Sequence, residues 1–113
     1  SDRKVFRSFL DIKEFILTFL STFKPGHKGF ALSFDATGKE IIEIGSLAKL
    51  VKDKYFVDCN IIRKELSHES EDNYYGDRSS YELVQKEKGI KNIPLEEQLD
   101  ITYEYLKRVI LKV

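Results

Sequence analysis

Three residues punctuate the last third of the chain and leave that stretch few ways to fold: Asp77, Gly89 and Pro94. Asp77 stands before the breaker-free run Arg78 to Lys88, and its carboxylate suits the unpaired N–H groups that open a helix. Gly89 follows, the residue type that most easily adopts the left-handed turn that closes one. Pro94 then marks the start of a second helix, where its missing N–H costs little. Leu95, Leu99, Thr102, Leu106 and Val109 recur behind it at helical spacing and predict a buried stripe. An extended piece through Tyr74 and Tyr75 leads into this pair. Successive side chains on such a piece alternate faces, so one tyrosine is expected inward and the other toward a ligand or another lobe.

Upstream, Ile12, Phe15, Ile16, Phe19 and Phe23 share one face of a helix over about Ile12 to Phe23. Asp11 is its N-cap, and Glu14, three residues on, completes a capping box. Pro25 and Gly26 end it. A short strand is expected around Phe30 to Phe34, a turn at Ala36 to Gly38, and a second extended piece from Ile41 to Ile44. A helix over about Ser46 to Lys54 carries Leu47, Ala48 and Val51. The β-forming run Tyr55 to Ile62 reads as a strand, and the charged, aperiodic stretch Arg63 to Asn73 as a surface loop. The fold class is therefore α/β (mixed α+β): a small helix-rich lobe with a few short strands, in the order helix, strand, strand, helix, strand, loop, helix, helix.

Length bounds the chain to one domain. With 19 basic and 19 acidic residues the net charge is zero, which argues against bulk attraction to nucleic acid or to an anionic membrane. No apolar run is long enough to span a bilayer. A single cysteine, Cys59, excludes an internal disulfide framework and fits a reducing, cytoplasmic compartment. Its apolar neighbours predict a buried thiol. His27 and His68 lack partners at ligand spacing, so no metal site is expected. Glu69 with Glu71, and Glu96 with Glu97, read as solvated charges rather than acid–base couples.

Several pieces, in order, carry a resemblance. RSFLDIKEF, Arg7 to Phe15, is similar to a motif Arg-x-Phe-x-(Tyr/His)-Val-x-Asp: Arg7, Phe9 and Ile12 match, Glu14 stands for the Asp, and Asp11 departs from Tyr/His. Leu47, Ala48 and Val51 match the Leu-Ala-x-x-(Ile/Val) of a following helix. The stretch from Asn73 to Lys107 matches a Tyr-bearing strand, an Asp, a helix, a turn with Gly and Pro, and a last helix. Together they resemble the C-terminal substrate-binding lobe of the extended short-chain dehydrogenase/reductase family, the NAD-dependent nucleotide-sugar epimerases and dehydratases. The resemblance implies that residues 1–113 form a single substrate-binding subdomain. It places Arg7 on the diphosphate of a nucleotide-sugar, with Arg3 and Lys4 as nearby alternatives. It places Asp72 near the ribose, with His68 or Arg63 standing in for a phosphate-binding Arg. Asp11 and Tyr75 complete the expected substrate-binding set.

The chain shows no Gly-rich phosphate loop of the dinucleotide type, and Tyr103 with Lys107 reads as an exposed helical pair rather than a Tyr-x-x-x-Lys acid–base couple. No catalytic residue and no bound cofactor are expected here. NAD(P) would belong to a Rossmann lobe of the same polypeptide, absent from this chain. Eight Phe and six Tyr then suggest a surface left bare by that lobe, through which a homodimer is expected. Two other readings stand beside this one: a stand-alone protein-interaction module, and a non-catalytic nucleotide- or sugar-binding domain.

Overall fold

The computed structural model describes residues 2–23, 33–67 and 69–110. The chain divides into two units, Ser1–Ser8 with Glu40–Tyr75, and Phe9–Lys39 with Gly76–Val113. Among the described residues the first carries a three-stranded mixed sheet and one helix, and the second carries three helices. A mixed α/β class is what the sequence led us to expect.

In the first unit β1 (Val5–Ser8) is the central strand. It pairs antiparallel with β2 (Ile41–Glu43), Arg7 opposite Ile42, and parallel with β3 (Asp72–Tyr74), Arg7 opposite Tyr74. The helix α2 (Ile44–Tyr55) leaves β2 without a loop and packs on β1 and β2. Glu43 makes that sharp exit possible. Its backbone is still extended while its carboxylate accepts from Ser46 N at 3.0 Å, capping the helix. Lys52 and Lys54 lie in the last turn, where cations oppose the helix dipole.

Here three expectations need correction. The observed order opens with β1, a strand not foreseen. β3 lies at the end of the stretch read as loop. The run Tyr55 to Ile62 is not a strand: Tyr55 ends α2, and the rest is a turn followed by irregular chain. Its β-branched and aromatic residues found no neighbouring strand, and β-propensity is realised only against one. Cys59, in that run, is consequently exposed rather than buried. Of the strand expected around Phe30 to Phe34, residues 30–32 lie outside the described residues, and Ser33 and Phe34 are irregular.

The second unit joins α1 (Ile12–Ser21), α3 (Ser79–Lys88) and α4 (Leu95–Val109). Asp11 caps α1 as its sequence position predicts, Oδ1 accepting from Lys13 N at 2.8 Å and Glu14 N at 3.1 Å. Gly89 ends α3 in the left-handed region at φ 66°, with Ile90 N donating back to Gln85 O at 2.9 Å. Asp77 accepts from Ser79 N and Ser79 Oγ and so holds the entry of α3, one residue earlier than the cap position itself. Pro94 immediately precedes α4, its carbonyl accepting from Gln98 N.

The core runs against the helical pattern. α1 turns its polar stripe inward: Glu14 and Thr18 are buried, whereas Ile12, Ile16, Phe19 and Phe23 are exposed and only Phe15 is half-buried. Glu14, 1% exposed, accepts from the Gln85 side chain at 2.6 Å and from Ile93 N at 2.8 Å. Its carboxylate is thus engaged across the unit rather than closing a capping box. The Thr18 hydroxyl accepts from the Tyr81 phenol at 3.2 Å and donates to Glu14 O. Burying the polar face is stable because these groups satisfy one another. In α4, Leu95 is buried and Leu99 half-buried, but Thr102, Leu106 and Val109 are exposed, so the expected stripe is covered only near the start of the helix. Tyr81 and Leu95 are the buried apolar side chains among the described residues.

Candidate functional site

The central strand presents Arg7, and β3 occupies it. Arg7 Nη2 lies 3.1 Å from Asp72 Oδ2, Nη1 donates to Asp72 O at 3.2 Å and to Phe6 O at 2.7 Å, and the guanidinium sits 5.6 Å from the centroid of the Tyr74 ring. Two residues expected at a substrate are therefore brought together, but onto each other. The ion pair ties β3 to β1 from the side-chain layer, as cross-strand opposite charges do. An anion reaching Arg7 must displace the Asp72 carboxylate. Tyr74 and Tyr75 are both exposed, so neither turns inward. Asp11 belongs to the second unit, and its Oδ1 is engaged in capping α1. His68 lies outside the described residues, as does His27.

A concavity of about 380 Å³ opens in the first unit, between the β1–β2 side of the sheet, the start of α2 and the chain at Ile61 to Lys64. Val5, Ile44, Ala48, Ile61 and Ile62 give it apolar surface, and Arg3, Arg63 and Lys64 set three cations around one carboxylate, Glu43. The volume falls within the span of small-ligand pockets, about 300–1,000 Å³. Arg63 reaches Glu43 with both terminal nitrogens, at 2.5 and 3.1 Å, in the paired geometry that a planar fork makes with a carboxylate. The guanidinium lies across Gly45, where a Cβ would come within 1.9 Å of Nη1. A glycine there lets the cation settle against the first turn of α2.

Glu43 is held strongly acidic, its carboxyl lowered to about 2, first by the Arg63 hydrogen bond and then, against the opposing effect of burial, by the Gly45 and Ser46 amides. Because the folded value lies below the unfolded one, the pair's contribution to stability is complete above the ordinary carboxylate range. It is lost as pH falls toward about 2. Arg63→Ala should raise the Glu43 carboxyl toward its ordinary value while the two amides keep it somewhat below. A ¹³C carboxyl NMR titration reads this directly, and an unmoved Glu43 would show that Arg63 is not its main partner.

This arrangement suits a ligand with a negatively charged group and an apolar flank. Guanidinium forks bind phosphate oxygens in pairs, an ammonium adds a point charge, and the α2 N-terminus contributes a positive end. Arg3 and Arg63, the secondary candidates of the sequence reading, line the cavity, whereas Arg7, the leading one, does not. Lys64, Ile61 and Ile62 went unforeseen. The signal for them is the junction Ile-Ile-Arg-Lys at 61–64, an apolar pair running straight into two cations.

Tyr103 and Lys107 lie on the far half of α4. Lys107 Nζ sits 4.9 Å from the Tyr103 ring centroid and 2.6 Å from Glu104. The Glu104 hydrogen bond raises the Lys107 ammonium above its usual value, so it is held charged. No protein-family model, curated protein or solved structure matches this chain.

Proposed function

We propose that this chain is the substrate-binding lobe of an NAD(P)-dependent nucleotide-sugar epimerase or dehydratase, and that the cavity of its first unit holds the nucleotide diphosphate. The observation that carries the proposal is the convergence of Arg3, Arg63 and Lys64 on one concavity with apolar surface beside the α2 N-terminus. In this reading Arg63 and Lys64 engage phosphate oxygens, Arg3 flanks them, and Ile61 and Val5 offer apolar surface to the ring system of the nucleotide. Glu43 holds both terminal nitrogens of Arg63, so a phosphate takes that fork only by exchange with Glu43. Arg7 and Asp72 keep β3 in register beside the site, and a phosphate takes Arg7 only by exchange with Asp72. Hydride transfer would take place against NAD(P) on a Rossmann lobe elsewhere in the polypeptide, and this chain would contribute binding and orientation.

The order of the motif pieces from Arg7 to Lys107 supports the family assignment. So does the position of Glu14: it stands for the motif's Asp, and it bonds Gln85 and Ile93, inside the C-terminal stretch that carries the other half of the resemblance. The test is calorimetric titration with UDP-glucose and dTDP-glucose. The unaltered chain should bind at least one saturably. Arg63→Ala with Lys64→Ala should weaken it at least about tenfold, since each hydrogen bond to a charged group contributes about 1.5–3 kcal/mol.

A second reading draws on a different observation, the exposed Ile12, Ile16, Phe19, Leu20 and Phe23 of and just beyond α1. Monomeric proteins rarely leave so large an apolar face bare, and such a face belongs to a protein-docking module as readily as to a lobe that meets another. Absence of any nucleotide-sugar binding selects the docking module.

A further inference from the structure

We infer that α4 is a self-association element: two copies of this chain pair through its apolar stripe, antiparallel, about a two-fold axis. Leu95, Leu99, Thr102, Leu106 and Val109 recur in alternating steps of four and three residues, the spacing by which one helix packs along another. Among the described residues the helical unit uses only the start of that stripe. Leu95 is buried and Leu99 half-buried. Gln98 anchors the same end, its side chain donating to Ile93 O at 2.8 Å and to Phe9 O at 3.3 Å. From there on Thr102, Leu106, Val109 and Ile110 are exposed, and Tyr105 adds an exposed ring on the flank. Among the described residues α4 packs extensively against no other helix or strand. An apolar face of about 2.5 turns is thus left open, and faces of this kind mark protein contacts.

The charges along the helix select the occupant. Glu96, Glu97 and Asp100 lie in its first half, and Lys107 and Arg108 in its last turn. That order suits the helix dipole, and it also makes the helix complementary to itself when reversed. Setting Thr102 of one copy against Leu106 of the other also sets Leu99 against Val109, so the two stripes mesh over the exposed length. On one flank the same register brings Asp100 of each copy alongside Lys107 of the other. A parallel pair would put Asp100 beside Asp100 and Lys107 beside Lys107, and like charges facing each other oppose association. The chain's net charge of zero leaves no bulk repulsion between copies. One helix face places the contact at the small end of specific interfaces, near about 1,200 Å² in total. The dimer should accordingly be reversible, with a dissociation constant in the micromolar range.

Sedimentation equilibrium of the full chain from about 1 µM to about 1 mM tests this. The apparent mass should rise from 13.2 kDa toward twice that value. Leu106→Glu and, separately, Val109→Glu should each weaken association at least about tenfold. Both side chains are exposed in the single chain, so the helical circular dichroism should be retained. Phe19→Glu, on the exposed face of α1, should leave the dimer as it is. Asp100→Lys should weaken the dimer, and adding Lys107→Asp should restore it. A second substitution that fails to restore it overturns the antiparallel pairing. The inference as a whole is overturned by a chain that stays at 13.2 kDa throughout, whose stripe then serves a different partner. It is equally overturned by a dimer that Leu106→Glu and Val109→Glu leave intact, or by one that Phe19→Glu abolishes.

Discussion

Glu14→Ala should destabilise the helical unit by about 3–5 kcal/mol, the cost typical of removing one partner from a buried ionic network. Glu14 is among the most deeply buried side chains described and joins three segments: α1, which carries it, α3 through Gln85, and the approach to α4 through Ile93 N. Alanine leaves the Ile93 N–H and the Gln85 amide without their acceptor and removes the carboxylate nearest Arg78. A loss of this size is a large share of the ~5–15 kcal/mol by which ordinary domains are stable. Urea unfolding measures it. Glu14→Gln keeps an oxygen for Ile93 N and should cost clearly less, about 1–3 kcal/mol. If alanine and glutamine prove equally mild, the buried carboxylate is not what joins these helices.

Gly38→Ala is the second large effect. Gly38 is buried, and a Cβ built there lies 2.0 Å from Phe9 O, 2.5 Å from Phe9 C and 2.7 Å from Phe9 N. All three are backbone atoms and cannot rotate aside, so one strand of chain must move off the other. Overpacking typically costs about 1–3 kcal/mol, and this site belongs at the upper end. Gly89→Ala is the control. Nothing lies within 4 Å of its Cβ position, and its φ of 66° alone opposes the change, at about 1–2 kcal/mol. Thermal melts of the two variants should therefore rank Gly38→Ala below Gly89→Ala. The reverse order would mean that the approach of Gly38 to Phe9 relaxes without effort.

Local chemistry was the legible part of the sequence. Asp11, Gly89 and Pro94 act through their own backbone neighbourhood, and each stands at a helix boundary in the structure. What a helix faces is not local. In α1 the apolar residues Ile12, Ile16 and Phe19 and the polar residues Glu14 and Thr18 both recur at helical spacing. The pattern identifies a helix without deciding which stripe turns in. Hydrophobicity favoured the first stripe, and the acceptors and donors on α3 and before α4 decided for the second. The same limit explains the strands. Tyr55 to Ile62 has the composition of a strand but no partner, whereas Val5–Ser8 and Asp72–Tyr74 are short, partly polar, and strands because they pair with one another.

The residues that line the candidate cavity were only partly legible in the sequence. The sequence reading put the phosphate-binding role on an arginine, and the family resemblance pointed to Arg7. Whether a cation is available depends on its neighbours in space, however. Asp72 lies 65 residues from Arg7 in sequence and 3.1 Å from it in the fold. Arg63 likewise looks like part of a charged loop until Glu43, 20 residues earlier, is seen to hold it against α2.

The most direct test of the central proposal is to map where UDP-glucose and dTDP-glucose act on the chain, by ¹H–¹⁵N NMR titration up to about 10 mM, enough to detect even affinities near 1 mM. The account predicts saturable shifts concentrated at Arg3, Gly45, Ile61, Arg63 and Lys64, and their loss in Arg63→Ala with Lys64→Ala. No saturable shift with either compound, or shifts elsewhere with these residues silent, would contradict it.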